Sequence, residues 1–319
     1  MKSVEMKAFG DIDVLEIVDK KIPIVNNYDV RVKLHFAGVN AAETYIRQGG
    51  YAFFKPELPY TPGFDGAGVI EEVGREVTDL KVGDRVFIAS ALSKKATGTY
   101  AEEIVVSADG VRKLSDNNSF EEGAALGIPA TAAYRALFQR GDLKSNERVL
   151  IHGASGGVGT LAVQMAKAHG AYVIGTAGTK EGMRKVKENG ADIVLNHRSD
   201  NYLEEIKSVD LVIEMLANVN LEKDLSVLNQ RGRIIIVGNR GELTFNPRLT
   251  MEKEADIRGI AVWNATKDEN EESLNEIQSM LEKGELHPEI GSIYSIENVR
   301  EAQDDLVNQP SKGKMLLKI

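Results

Sequence analysis

The segment HGASGGVG, residues 152–159, decides the fold assignment, since it places four glycines in eight residues. It stands between RVLIHG (148–153), an apolar run typical of a buried strand, and TLAVQMAKAHG (160–170), which has the pattern of an amphipathic helix with a glycine stop. Ala154 to Gly159 match the dinucleotide fingerprint G-x-G-x-x-G with alanine in the first glycine position. In this strand-loop-helix context the pattern predicts a pyrophosphate-binding turn, and a tight turn without a ligand is the plainer alternative.

Beyond this loop, short apolar strands alternate with helices. The helix KEGMRKVKENG (180–190) follows the second strand, and the predicted strands are AYVIGT (171–176), ADIVLNH (191–197), VDLVIEML (209–216) and GRIIIVG (232–238), with RGIAV (258–262) as an edge strand. Strands separated by helices in this way indicate right-handed crossovers and a parallel sheet. The sequence therefore predicts a doubly wound α/β domain.

The first 115 residues or so have a different character. VRVKLHFAGV (30–39), AGVIEEVG (67–74) and DRVFIA (84–89) are strand-like, with glycine and aspartate at the turns, which suggests a small barrel or sandwich. The final strand-like segments, IGSIYSIENV and KMLLKI, have no sheet of their own in the sequence and are expected to return to this first domain.

Composition limits the possible functions. The 319 residues include no cysteine, which excludes disulfides and cysteine-ligated metal sites. The five histidines lack the close spacing of a metal-binding helix, which leaves only a metal site built from distant histidines and carboxylates. The net charge of −9 opposes nucleic acid or an anionic membrane as the main partner. No segment has the length and hydropathy of a membrane span or a signal core, so we expect a soluble, cytoplasmic protein.

The end of the second strand of the α/β domain bears on cofactor choice. NAD-type folds place a carboxylate there to bind the ribose 2′-hydroxyl, and here the position holds Ala177. Lys180 could neutralise a 2′-phosphate, and His197 and Arg198 end the third strand close by, so NADPH is favoured over NADH. Whether Lys180 or Arg198 binds the phosphate is open, because Lys180 could be a solvated charge and His197 a structural residue.

Several segments together resemble one protein family: AGVNAAETYIRQGGY, LPYTPGFDGAGVIEEVG, HGASGGVG, IEMLANVNLEKDLS and FNPRLTMEKE. They span nearly the whole chain and are similar to the zinc-free, zeta-crystallin-like quinone oxidoreductases of the medium-chain dehydrogenase/reductase superfamily. The resemblance implies a GroES-like β-rich catalytic domain of residues 1–120 and 265–319 and a Rossmann NADPH-binding domain of residues 121–264, with binding in the cleft between them. Zinc-dependent relatives have cysteine and histidine ligands where this chain has Asn40 and Phe64, so the resemblance implies that no zinc is bound and argues against an alcohol dehydrogenase.

The resemblance also assigns site residues. Tyr45 is expected near the nicotinamide, where it positions cofactor or substrate or forms a structural aromatic wall, and Asn40 can hydrogen-bond in the same place. The remaining implied cofactor contacts are Ser155, Gly156, Gly157 and Val158 at the pyrophosphate, Gly178 and His197 along the adenosine, and Asn218, Val237, Gly238, Asn239 and Arg240 near the nicotinamide. Asn218 could instead be a helix N-cap and Arg240 a surface salt-bridge residue.

The leading functional prediction is therefore an NADPH:quinone reductase. Reduction of 2-alkenals or other enones is the nearest alternative, and a cofactor-binding protein with secondary RNA binding is another. A homodimer or homotetramer is expected, with RGIAV pairing across a two-fold axis. Lys94 and Lys95, in a loop of residues 90–103 that is longer than is usual in the family, either line the cleft mouth or are solvated.

Overall fold

The computed structural model describes residues 1–51, 53–92, 98–309 and 312–319. Lys94 and Lys95 lie outside the described residues, so their role stays a prediction. The strands of the described chain are β1 Lys2–Met6, β2 Leu15–Asp19, β3 Asp29–Val39, β4 Asp65–Val73, β5 Arg85–Ala89, β6 Glu103–Ser107, β7 Val111–Lys113, β8 Arg148–Ile151, β9 Tyr172–Ala177, β10 Ile193–Asn196, β11 Val209–Glu214, β12 Leu228–Ile236, β13 Asp256–Gly259, β14 Ile290–Ser295 and β15 Lys314–Lys318. The helices are α1 Ala41–Arg47, α2 Phe120–Ala124, α3 Gly127–Tyr134, α4 Gly157–Ala168, α5 Lys180–Glu188, α6 Ala217–Val227, α7 Arg248–Lys253, α8 Lys267–Glu282 and α9 Val299–Asn308.

The chain divides into two compact units. The first comprises Met1–Thr131, Ala265–Glu282 and Pro288–Ile319, and the second Ala132–Asn264 and Lys283–His287. The first unit extends to Thr131 and includes α2, which packs on β3, β4 and β5. The domain bounds expected from the sequence stay a prediction. The assignment of a catalytic role to one unit and a cofactor-binding role to the other stays a prediction.

The second unit is built on a six-stranded parallel sheet of order β10-β9-β8-β11-β12-β13. The chain winds from β8 outward to β10, then crosses to β11 and winds outward in the other direction. Strands β8 to β11 are mostly apolar because helices cover the sheet, with α4 on β8 and β9 and α6 on β11 and β12. The predicted doubly wound α/β fold is confirmed, and it reverses direction next to β8, where such sheets bind ligands.

The first unit is β-rich. Its larger sheet has the order β14-β15-β3-β4-β5-β7, with β6 also paired to β3, and β1 and β2 form a separate antiparallel pair. The side chains of Val30, Val32, Ile70, Ile88 and Ile104 alternate inward along their strands and form a buried core cluster.

The C-terminal strand belongs to this first sheet, as its sequence led us to expect. β15 pairs antiparallel with β3, with Leu317 opposite Ala37, and β14 pairs parallel with β15. Leu317 and Ala37 are both fully buried in a second core cluster with Tyr100. Among the helices that the structure describes, none combines the length and the hydropathy that crossing a bilayer requires.

Candidate functional site

The glycine-rich loop joins the end of β8 to the start of α4. Gly153 has φ +56°, a left-handed conformation that favours glycine. A Cβ atom on Gly159 would stand 2.3 Å from the carbonyl oxygen of Gly153, so only glycine allows α4 to begin this close to the loop. The residues between them, Ser155 to Val158, are half-buried, and the first N–H groups of a helix lack intrahelical partners. The loop can therefore offer backbone donors and the positive end of a helix dipole to an anion.

The end of β9 forms the next part of the site. Ala177, where a carboxylate would select a free 2′-hydroxyl, is fully buried, and Gly178 follows it. A Cβ on Gly178 would stand 2.5 Å from His197 Nε2 and 2.9 Å from Arg198 Nε. Both side chains therefore lie against Gly178, and the predicted residues of the adenosine side come together here.

Two permanent positive charges flank this glycine. Lys180 is exposed at the first position of α5, one residue after its N-cap, and Arg198 is also exposed. Within the part of the chain that the structure describes, neither side chain makes an ion pair or a hydrogen bond, so both are available to an anion. Burial, with smaller effects from His152 and Arg198, lowers the pKa of His197 below its usual range, so this imidazole is uncharged at neutral pH.

The predicted nicotinamide side consists of two segments that are tied together. The Asn218 N–H donates to Asn239 Oδ1 at 2.9 Å, and the Arg240 N–H donates to Asn218 Oδ1 at 3.0 Å. A Cβ on Gly238 would stand 2.4 Å from the carbonyl oxygen of Met215, so glycine is needed where the turn after β12 approaches the loop after β11.

This geometry also bears on two alternatives raised by the sequence. Asn218 is not a helix N-cap, because Leu216 holds that position and Asn218 lies in the first turn of α6. Arg240 is exposed and forms no ion pair within the described residues, so the geometry gives no support to the surface salt bridge. Val237, the first residue after β12, donates its N–H to the Glu214 carbonyl at 2.9 Å.

Tyr45 lies on α1 of the first unit and is half-buried. Its ring is nearly parallel to that of Tyr51, at a centroid distance of 6.3 Å, and Tyr51 meets Phe53 edge-on at 5.4 Å. Phe53 is 55% exposed, so this aromatic group presents apolar surface to solvent. The arrangement suits a wall for a flat ring, while a role for Tyr45 at the cofactor stays a prediction.

Asn40 lies in a buried polar cluster rather than on an open surface. Its amide nitrogen donates to Glu43 Oε1 at 3.0 Å and to Asp65 Oδ2 at 2.8 Å, and its oxygen accepts from the ammonium group of Lys314. The Lys314 ammonium also donates to Asp65 Oδ2 at 2.8 Å. Both polar atoms of the Asn40 side chain are thus engaged within the chain, and contact with a substrate would require one of these bonds to be exchanged.

Comparison with known proteins gives the family. A model for the alcohol dehydrogenase GroES-like domain matches residues 26–116, and one for zinc-binding dehydrogenases matches residues 157–279. Human quinone oxidoreductase is 47% identical over 325 residues, which cover 99% of this chain and 97% of the relative. The chain belongs to the quinone oxidoreductase family. The resemblance drawn from the sequence is therefore confirmed.

Solved structures agree on the fold of this quinone oxidoreductase family member. The crystal structure of Escherichia coli quinone oxidoreductase complexed with NADPH superposes with a TM-score of 0.89 at 29% identity and full coverage of both chains. A structure described as an NAD-dependent alcohol dehydrogenase superposes with a TM-score of 0.90 at 28% identity and the same coverage. The combination of a GroES-like domain and a Rossmann domain is thus confirmed.

Sequence reasoning missed a buried cluster directly below the glycine loop. His152 Nε2 lies 2.8 Å from Asp224 Oδ1 and 3.6 Å from Glu214 Oε2. His152 is 2% exposed and both carboxyls are fully buried. His152 stands inside the decisive motif, and burial raises the pKa of both carboxyls to about 7. The sequence did offer a signal for this cluster, because His152 lies in the glycine-rich motif and both Glu214 and Asp224 lie in the segment IEMLANVNLEKDLS.

Proposed function

We propose that this protein is a zinc-independent reductase that transfers reducing equivalents from NADPH to quinones. The observation that carries the choice of cofactor is the end of β9, where Ala177 replaces a carboxylate and Arg198 lies against Gly178. A carboxylate there would repel a 2′-phosphate, whereas an unpaired guanidinium attracts one.

The residues present fit NADPH. The loop has glycine where the backbone is left-handed and where a Cβ would collide with a carbonyl oxygen, and its N–H donors lie at a helix N-terminus. NADPH supplies a hydride, and a quinone is a good acceptor because its reduced oxygens need only hydrogen bonds and a proton.

The chain's own residues bind and orient. The main chain of Ser155 to Val158 binds the pyrophosphate, and Arg198 or Lys180 binds the 2′-phosphate, with Gly178 and His197 along the adenosine. The braced pair Asn218 and Asn239 keeps the turn of residues 237–240 against the nicotinamide.

Tyr45 positions the cofactor or substrate rather than acting as an acid. The proton for the reduced quinone then comes from water. Asn40 supports this region through the buried cluster that it shares with Asp65 and Lys314.

The absence of a catalytic zinc is part of the proposal. Phe64, at one place where zinc-dependent relatives have a ligand, has no metal-binding atom. Asn40, at the other, already binds a lysine ammonium, which supplies a positive charge to the buried carboxylate of Asp65. Metal analysis of the purified protein tests this: a stoichiometric zinc ion that is needed for quinone reduction would contradict it.

The decisive experiment is a fluorescence titration with NADPH and NADH, followed by steady-state assays with 1,2-naphthoquinone and with a 2-alkenal. Tighter binding of NADPH and its oxidation by the quinone but not by the alkenal support the proposal. Oxidation by the alkenal alone would make the protein an enone reductase. Binding of neither cofactor would remove the reductase proposal altogether. RNA affinity that persists at high salt and competes with NADPH would favour the binding-protein alternative.

We also infer a homo-oligomer. β13 lies at one end of the six-stranded sheet, and pairing with a second copy would cover its open edge. Light scattering of the purified protein would give a dimer or tetramer mass, whereas a monomer mass would contradict this inference.

A further inference from the structure

The cluster of His152, Asp224 and Glu214 joins the two strands at which the parallel sheet reverses direction. His152 directly follows β8, Glu214 is the last residue of β11, and Asp224 lies on α6, the helix after β11. The main chain also connects them, because the His152 N–H donates to the Ile213 carbonyl at 3.0 Å. The three side chains therefore lie between the glycine loop and the loop that follows β11.

The hydrogen bonds around His152 define one consistent arrangement of protons. The Gly153 N–H donates to Thr176 Oγ1 at 3.2 Å, and this hydroxyl lies 3.4 Å from His152 Nδ1. Asp224 Oδ1 can only accept from the other ring nitrogen, Nε2, at 2.8 Å. A neutral imidazole with its proton on Nε2 satisfies all of these contacts, with Nδ1 accepting from the Thr176 hydroxyl.

The two carboxyls require one more proton. Glu214 Oε2 and Asp224 Oδ2 are buried and have no hydrogen-bond donor among the described residues. One oxygen of each carboxyl and one ring nitrogen of His152 all lie within 4.8 Å of one another. Two adjacent buried carboxylates repel, so a proton on Glu214 that is donated to Asp224 satisfies both oxygens and leaves a single negative charge.

The same carboxyl reaches the second loop. Glu214 Oε1 accepts from the Leu216 N–H and, at 3.3 Å, from Asn220 Nδ2. The Glu214 carbonyl accepts from the N–H of Val237 at 2.9 Å. The side chain and main chain of one residue thus fix both segments of the predicted nicotinamide side.

We propose that Thr176, His152, Asp224 and Glu214 form one directional hydrogen-bond chain, with a proton shared by the two carboxyls, that positions the glycine loop and the loop after β11 for NADPH. These are positioning residues, and the proposal rests on the proposed function for its ligand. The direction of the chain runs from the Gly153 N–H through Thr176 to His152 Nδ1, and from His152 Nε2 to Asp224, which also receives the Glu214 proton.

The other titratable groups around this hydrogen-bond chain keep their charge state between pH 6 and 9. Tyr202 meets His152 edge-on at 6.4 Å, and burial beside the two carboxyls raises its pKa to about 12, so it stays protonated. Lys223, on α6 and exposed, favours ionisation of Asp224, while Asp224 raises the pKa of Glu214. Burial lowers the pKa of His152, which remains neutral, and His197 is likewise neutral. Loss of the shared proton is therefore the ionisation in this region expected between pH 6 and 9.

The test compares Glu214→Gln, whose amide donates as the protonated carboxyl does, with Glu214→Leu, which cannot. Glu147→Gln is the matched control, since Glu147 precedes the opposite end of β8 and pairs with Arg233. The NADPH dissociation constant, KM and kcat are measured from pH 6 to 9. We expect the NADPH dissociation constant of wild type and of Glu147→Gln to rise about tenfold from pH 6 to 9. The constant of Glu214→Gln should change less than twofold over the same range. Glu214→Leu should bind NADPH about tenfold more weakly than wild type does at pH 6, at every pH measured.

Two results would overturn the proposal: unchanged NADPH affinity in Glu214→Leu, or the same pH dependence in Glu214→Gln as in wild type. ¹⁵N NMR of the labelled histidines gives a readout that does not depend on the cofactor. His152 should carry its proton on Nε2 alone from pH 6 to 9, and a protonated Nδ1 would contradict the proposed direction of the hydrogen bonds. If wild type binds no NADPH while NMR shows this tautomer, the proposed function fails and the hydrogen-bond chain stands without its ligand.

His152, Glu214 and Asp224 could also bind a divalent cation, and metal analysis distinguishes a bound cation from a shared proton. Purified protein with no stoichiometric metal, and no shift of the His152 resonances on addition of Zn²⁺ or Mn²⁺, agrees with a shared proton. A bound ion that is lost in both Glu214→Gln and Asp224→Asn would overturn the shared proton and make the cluster a metal site.

Discussion

Replacing Arg198 by alanine should weaken NADPH binding and leave NADH binding unchanged. The Arg198 guanidinium lies against Gly178 next to the fully buried Ala177, and it has no ion pair among the described residues. A hydrogen bond to a charged group contributes about 1.5–3 kcal/mol, and each 1.4 kcal/mol is a factor of ten in affinity. Because Arg198 is exposed and solvent screens its charge, we expect the lower end, about tenfold in the NADPH dissociation constant.

The assay is fluorescence titration of the variant with both cofactors at 50 and 500 mM NaCl. The tenfold effect on NADPH should shrink at the higher salt concentration, whereas the NADH constant should stay within twofold of wild type. Lys180→Ala is measured in parallel, because Lys180 is the other permanent charge near Gly178. Arg184→Ala is the control, since it removes a charge on α5 that pairs with Glu188 instead.

Three outcomes would refute the reasoning. Equal losses for NADPH and NADH would mean that Arg198 does not contact the 2′-phosphate. A similar loss of NADPH affinity in Arg184→Ala would mean that the effect comes from overall positive charge rather than from a contact with the phosphate. A loss confined to Lys180→Ala would assign the phosphate to the lysine.

Four other changes test the structure. Gly159→Ala should cost about 1–3 kcal/mol in urea unfolding and prevent NADPH binding, because its Cβ would meet a backbone oxygen at 2.3 Å; Gly259→Ala, with open space around it, should change neither. Leu317→Ala should lower the free energy of unfolding by about 2–5 kcal/mol, since this fully buried side chain belongs to the core of the first unit, and a loss below 1 kcal/mol would contradict its packing. Tyr45→Phe should keep kcat within about threefold in the quinone assay, because the phenol positions rather than protonates, and a hundredfold loss would indicate an acid. Glu214→Gln should become more stable than wild type, by up to about 3 kcal/mol, as the pH rises from about 4.5 to 7. The reason is that the raised pKa of Glu214 contributes to the free energy of unfolding of wild type fully at low pH, and this contribution is lost as the carboxyl ionises. Parallel pH profiles of the two proteins in chemical denaturation would refute this.

The sequence predicts the second unit well because its signals are local. The glycines of residues 152–159 are required by the backbone conformation and by close contacts within the same loop. The alternation of strands and helices follows from apolar runs of distinct length. The position of Ala177 at the end of β9 was likewise readable, because it is counted along the chain from the fingerprint.

Contacts between distant parts of the chain were not readable in this way. Asn40 meets Asp65 and Lys314, which are 25 and 274 residues away, so the nearby sequence could indicate only its contact with Glu43. His152 finds Asp224 72 residues further on, and only the crossing from β8 to β11 brings them together. The first compact unit extends to Thr131 for a similar reason, since α2 has the composition of the helices that follow it but packs on strands that precede it.

The pairing of β15 with β3 has a consequence for the order in which the chain folds during synthesis. Residues 36–38 of β3 pair on one side with β4, which is made soon after them, but their other edge finds its partner β15 only when residues 316–318 have been made. Nearly all of the second unit emerges in between and can fold as a contiguous segment. The first unit meanwhile has an unpaired strand edge beside the apolar side chains of Ala37 and Val39, which is the kind of surface that chaperones cover and that aggregates when translation stops early.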